Sequence, residues 1–197
     1  MDQFAVIWSA AQCGFDGWNE IWGDPWLSGT LLVLGYGITG FLLLKTATRL
    51  NGRERVLWTL GGAIMVFQAF NTPLDLHAFV WTFGKCLAKA QGWYEIKRQV
   101  QSGVFIGLLS VAVILILSCA VLFRRNIVGN LVLIIGIAIS TGFTGVKGIS
   151  LHGLAEYYSR PLGPFFVADW IELGGICLAF LAVMGRRWKM RKQPANT

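Results

Sequence analysis

Charge is scarce in this sequence. Only 14% of the 197 residues are Asp, Glu, Lys or Arg, while 55% are apolar and the mean hydropathy is +0.58. An ordinary soluble domain carries ~25% charged residues. The deficit excludes a soluble enzyme as the class. It also excludes a disordered tail, which would be rich in charge and poor in aromatics. Histidine is scarcer still. The two present, His77 and His152, form no H-x-x-x-H or H-E-x-x-H pair, so no ready-made metal motif exists. No P-loop, dinucleotide fingerprint or nucleophile elbow is present either. The four cysteines, Cys13, Cys86, Cys119 and Cys177, show no CxxC and no metal-type spacing. The leading reading makes them small buried hydrophobes. A Cys13–Cys86 disulfide stays open if both face an oxidising side.

What is present in quantity is long apolar runs. They lie near residues 26–44, 56–72, 103–123, 127–149 and 165–185. Each approaches the ~20 residues a helix needs to span lipid. The runs are continuous rather than alternating, which excludes a β-barrel. The expectation is an all-α polytopic membrane bundle of about five transmembrane helices. Gly29, Gly35, Gly37 and Gly40 interrupt the first run, and small residues let helices approach closely in lipid. Pro73 is expected to end or kink the second. Residues 74–90 are mixed in polarity and read either as that helix's outer end or as a helix in the interface.

Residues 1–25 form a separate Trp-rich segment, with Trp8, Trp18 and Trp22 among Asp16, Glu20 and Asp24. It has no positive n-region, so it does not read as a secretory signal. Tryptophan favours the headgroup level, and an interfacial arm is expected. Residues 186–197 form a basic tail.

Net charge is +7. The basic residues gather at the ends of apolar runs, so they read as orientation signals rather than as a nucleic-acid surface. With the N-terminus outside, the inner side holds Lys45, Arg49, Arg53, Arg55, Arg124, Arg125, Arg186, Arg187, Lys189, Arg191 and Lys192, most of the 17 Lys and Arg. Of the acids only Glu54 falls inside. The expectation is a bacterial inner-membrane protein with its C-terminus in the cytoplasm.

The acids and both histidines converge on the outer half. Asp75 precedes His77 by two residues, and Glu156 follows His152 by one helical turn. Asp169 and Glu172 are spaced i, i+3 and share a helix face. Ionisable groups at membrane depth are expensive and often functional. Three readings compete. In the first, these groups, Lys147 and Arg160 satisfy one another structurally. In the second, His77, His152 and a carboxylate hold haem or a metal ion. In the third, His152 acts as a base on a lipid or quinone, oriented by Asp169 or Glu172, with Ser150 as a conceivable nucleophile.

The most distinctive string runs from Gln91 to Gln101: Gln91, Gly92, Trp93, Tyr94, then Arg98 and Gln101. It reads as an anchored interfacial turn, or as a loop that docks a partner or headgroup. Together with Ser150, His152, Trp170, Glu172, Gly175 and Ile176, this string resembles a group of small bacterial integral membrane proteins. The resemblance covers the C-terminal part of the chain and leaves the Trp-rich segment without a counterpart. It implies a polytopic inner-membrane protein and marks those residues as candidates, but it supplies no reaction.

No run carries an acid or lysine in its inner half, and no inverted repeat is visible, which argues against transport. The leading expectation is a non-catalytic accessory or assembly subunit of a larger membrane complex, with lipids and other membrane subunits as partners. A haem or metal site for electron transfer, and an enzyme acting on a lipid-like substrate, are the alternatives.

Overall fold

A computed structural model describes residues 3–19, 26–122, 127–149 and 157–192. The described chain is all-α apart from one short hairpin. Its helices are α1 (Gln3–Asn19), α2 (Trp26–Ala47), α3 (Gly52–Leu74), α4 (Leu76–Ala90), α5 (Lys97–Leu122), α6 (Ile127–Ile149) and α7 (Val167–Lys192). A 3₁₀ turn, Tyr94–Ile96, precedes α5. The hairpin pairs β1 (Pro161–Leu162) with β2 (Phe165–Phe166) immediately before α7.

Helices α2, α3, α6 and α7 make the core. The short connection between α2 and α3 forces that pair antiparallel, and contacts from Trp58 and Glu54 of α3 to Asn130 and Arg186 set the starts of α3 and α6 beside the end of α7. Their shared basic end lies where α2 and α7 finish and α3 and α6 begin. The buried face of α7 is Ala168, Asp169, Glu172, Gly175, Ile176, Ala179, Ala182 and Val183, one stripe at helical period. It meets Leu32, Tyr36 and Leu43 of α2, Trp58 and Met65 of α3, and Leu133 of α6, all essentially inaccessible.

The contact between α6 and α7 is close. A Cβ added to Gly136 would sit 2.6 Å from the Ala179 nitrogen, and one on Gly175 would sit 2.7 Å from the Ser140 nitrogen. Backbone cannot yield as a flexible side chain can, so only glycine fits this crossing.

The second helix of the core outlasts its proline. Pro73 lies inside α3, and the helix ends at Asp75, whose φ of 50° is left-handed. A proline in the last turn costs one hydrogen bond there rather than a helix. Aspartate is among the few residues that visit this conformation readily. The chain then turns into α4, which packs on α1 rather than extending α3.

The α1–α4 pair is covalently joined. Cys13 and Cys86 form a disulfide, so the reading of these two as simple buried hydrophobes is corrected. Cys177 is corrected as well, being exposed on α7. Trp18 Nε1 donates to the carbonyl oxygens of Leu74 and Asp75 at 2.9 and 3.2 Å. Those carbonyls lie where α3 ends, and the Asp75 carbonyl also accepts the Ala78 N–H at 2.9 Å as α4 begins. Trp18, Phe79 and Phe83 continue the contact as an aromatic ladder.

Two helices are long and apolar enough to cross a membrane by length and composition, Leu27–Ala47 and Val167–Lys192. A third segment, Val128–Thr144, is apolar but shorter. In α3, Gln68, Asn71, Thr72 and Pro73 crowd one end and dilute its apolar character.

Candidate functional site

Polarity in this bundle is turned inside out. The outward face of α2 is Leu27, Leu31, Leu34, Ile38 and Phe41, all exposed. That of α3 is Val56, Leu60, Ile64, Phe67 and Phe70, also exposed. Among the described residues, the buried polar ones are Ser28, Thr39, Thr46, Gln68, Asn71, Thr82, Asn130, Ser140, Asp169 and Glu172. Burying a polar group without a partner costs free energy, so the inward groups must find partners. Thr46 and Thr82 donate to backbone carbonyls of Leu42 and of Gly14 and Ala78, and most of the others gather in two clusters.

The first lies in the half away from the basic end. The Tyr36 hydroxyl of α2 is 3.3 Å from Glu172 Oε2 and 3.4 Å from the Ser140 carbonyl oxygen. Its single proton serves one acceptor at a time. The Thr144 hydroxyl donates to the same Ser140 carbonyl at 3.2 Å and accepts from Gln68 Nε2 at 3.1 Å. Gln68 Oε1 in turn accepts from Asn71 Nδ2 at 3.0 Å. The chain thus ties α7, α2, α6 and α3 together. Asp169, one turn before Glu172 and 2% exposed, accepts the Phe166 backbone N–H at 3.0 Å. It caps α7 where the hairpin delivers the chain.

The second cluster lies at the basic end. Trp58 Nε1 donates to Asn130 Oδ1 at 2.9 Å, and Asn130 Nδ2 donates to Glu54 Oε1 at 3.3 Å. Arg186 closes the set by an ion pair with Glu54 Oε2. Sequence reasoning missed this cluster. By sequence Glu54 stood only as the one acid on the inner side, and Arg186 as an orientation signal. The start of α3 at Gly52 instead places Glu54 in a first helical turn, where an acid is favoured. Two signals were available: Glu54 is the one acid among the inner bases, and Asn130 interrupts an apolar run.

The remaining candidates are dispersed. Gln91 and Gly92 end α4: the Gly92 N–H reaches the Lys89 carbonyl and the Trp93 N–H the Ala88 carbonyl. This is a Schellman motif, and the positive φ of Gly92, 77°, is what it requires. Gln91 Oε1 accepts from Trp93 Nε1 at 2.7 Å. Lys89 lies over the Tyr94 ring. Trp93, Tyr94 and Gln101 line a groove between α4 and α5 with Trp81 and Lys85. Arg160 stacks on Tyr157, and its carbonyl accepts the Val167 N–H. Trp170 Nε1 donates to the Leu162 carbonyl.

Ser150, His152 and Glu156 lie outside the described residues, as do the side chains of His77, Arg98 and Lys147. Among the described residues, no three of His, Cys, Asp and Glu come together in a group able to hold a metal ion. The chain matches no known protein family, no curated protein and no solved structure.

Proposed function

We propose that the chain is a five-span membrane bundle that works as a non-catalytic accessory or assembly subunit of a larger membrane complex. Helices α2, α3, α5, α6 and α7 would be the spans, in a bacterial inner membrane, with the N-terminus outside. The observation that carries this reading is the inverted polarity. Apolar stripes cover the outward faces of α2 and α3, while the inward polar groups hydrogen-bond to one another. In lipid, stability between helices comes from small-residue packing and inter-helix hydrogen bonds rather than from hydrophobic burial. Both are present here.

The non-catalytic part rests on Asp169 and Glu172. Each carboxylate is buried and engaged by its own chain. The disulfide supports an outer α1–α4 arm, since such bonds persist in oxidising compartments. That arm leaves Phe4, Ile7, Trp8 and Phe15 exposed, an apolar surface suited to a neighbouring subunit.

The test is in-cell photo-crosslinking from a reactive residue at Phe4 or Trp8, with a control on α3 at Phe67. A discrete protein adduct from the arm, with lipid adducts from Phe67, is expected. Arm adducts to lipid alone would sink the subunit reading. Release of the protein from membranes by carbonate washing would sink the membrane reading itself.

A further inference from the structure

At the basic end, α6 and α7 part to leave a groove of about 290 Å³. Val128 and Val132 form one wall and Leu181 the other, with Gly129 and Gly185 between them and Arg186 and Lys189 toward the basic end. Val128 and Leu181 are strongly exposed, at 72% and 61%. The volume is at the bottom of the ~300–1,000 Å³ range of clefts that engulf a whole ligand. It suits one chain of a larger molecule.

The ends of the groove differ in chemistry. Leu181 and Lys189 are about 12 Å apart along α7 at 1.5 Å per residue, so the walls are apolar at depth and cationic at the rim. The ends of α2 and α7 and the start of α3, at the same end of the bundle, also carry Lys45, Arg53, Arg55, Arg187 and Lys192. The acid among them, Glu54, is already engaged by Arg186. Trp188, exposed and capped by Lys192, marks a headgroup level. A free anion would leave the apolar walls unmet, and a neutral lipid would leave the cations unmet.

We infer that this groove is a binding site for one anionic phospholipid. The phosphate meets Lys189, beside the Arg186–Glu54 pair, and an acyl chain lies along Val128, Val132 and Leu181. Basic pockets between helices at a membrane boundary recognise acidic headgroups in this way. The inference rests on the membrane reading above.

The glycines supply a clean test. A Cβ added at Gly129 or Gly185 meets nothing within 4 Å, so the side chain of Gly185→Leu starts in the open space of the groove rather than against a packed neighbour. The full chain is purified in mild detergent and offered phosphatidylglycerol, phosphatidylcholine or inorganic phosphate. Retention is read by native mass spectrometry, and the unfolding midpoint by thermal shift. Expected is one retained phosphatidylglycerol and a raised midpoint, with no such effect from phosphatidylcholine or phosphate. Lys189→Gln should weaken retention about fivefold, equivalent to about 1 kcal/mol. Gly185→Leu should abolish retention while leaving the lipid-free midpoint unchanged.

Equal retention of phosphatidylcholine would overturn the inference. So would a matching shift from phosphate alone, undiminished retention by Gly185→Leu, or a protein adduct from a crosslinker at Gly129. In each case a protein that stays in carbonate-washed membranes keeps the membrane reading intact. A protein that washes off loses that reading first.

Discussion

At the scale of single residues, the weight of the structure falls on a few polar contacts. Tyr36 brings a hydroxyl to Glu172 across 136 positions of sequence. Tyr36→Phe keeps the ring and removes that hydroxyl, leaving a buried carboxyl and the Ser140 carbonyl one donor short. The expected cost is about 1–3 kcal/mol, read as a lowered unfolding midpoint in detergent. Glu172→Gln keeps an acceptor in place and should cost less. An unchanged midpoint in Tyr36→Phe would show that the contact carries no weight. At the basic end, Glu54→Gln and Arg186→Gln belong in a double-mutant cycle. The pair is 20% and 25% exposed at its side chains, so a coupling of about 1–2 kcal/mol is expected, below that of a fully buried pair. A coupling near zero would reduce Arg186 to a general basic charge. The i, i+3 spacing made it legible that Asp169 and Glu172 share a face. The Glu172 partner was not legible, because a hydroxyl 136 positions away on α2 leaves no local trace around the acid, whereas the Phe166 N–H that Asp169 accepts is a local helix-start contact three residues back.

At the scale of elements, the helices themselves were readable. The apolar runs near 26–44, 56–72, 103–123 and 127–149 fall almost wholly in α2, α3, α5 and α6, and most of the run near 165–185 falls in α7. Apolar composition and helix length are local properties. The limits were less readable where polar residues continue a helix, as Arg53 and Glu54 do at the start of α3. The two-stranded hairpin was not anticipated, because two-residue strands have no period to detect. The tight α6–α7 crossing makes its own demand. Gly175→Leu drives a side chain into the backbone of Ser140 and Gly136. Overpacking of this kind costs typically about 1–3 kcal/mol. The contrast with Gly185→Leu on the same helix is the control: the first should lower the unfolding midpoint and the second should not. Equal tolerance of both would mean that α6 and α7 do not meet at Gly175.

At the scale of the whole molecule, two bodies are joined: a four-helix core with α5 against α6, and the α1–α4 pair. A disulfide closing a loop of 73 positions stabilises by about 4 kcal/mol in loop-closure entropy, much of which constrains the segment between its ends. Cys13→Ser with Cys86→Ser should therefore loosen the arm more than the core. Amide hydrogen exchange is the measurement, with faster exchange expected in α1 and α4 and unchanged protection in α6 and α7. Uniform loosening would show that the arm and the core unfold as one unit.

The same bond has a bearing on how the protein is made. In the proposed topology Cys13 leaves the ribosome before α2 and α3, and Cys86 leaves after both. The two thiols share the oxidising compartment only once α2 and α3 have been threaded in the right sense. Oxidation then becomes a covalent record of correct insertion. A chain that inserts upside down, or stalls with α3 unthreaded, keeps both thiols reduced and can be told from a finished one by alkylation alone.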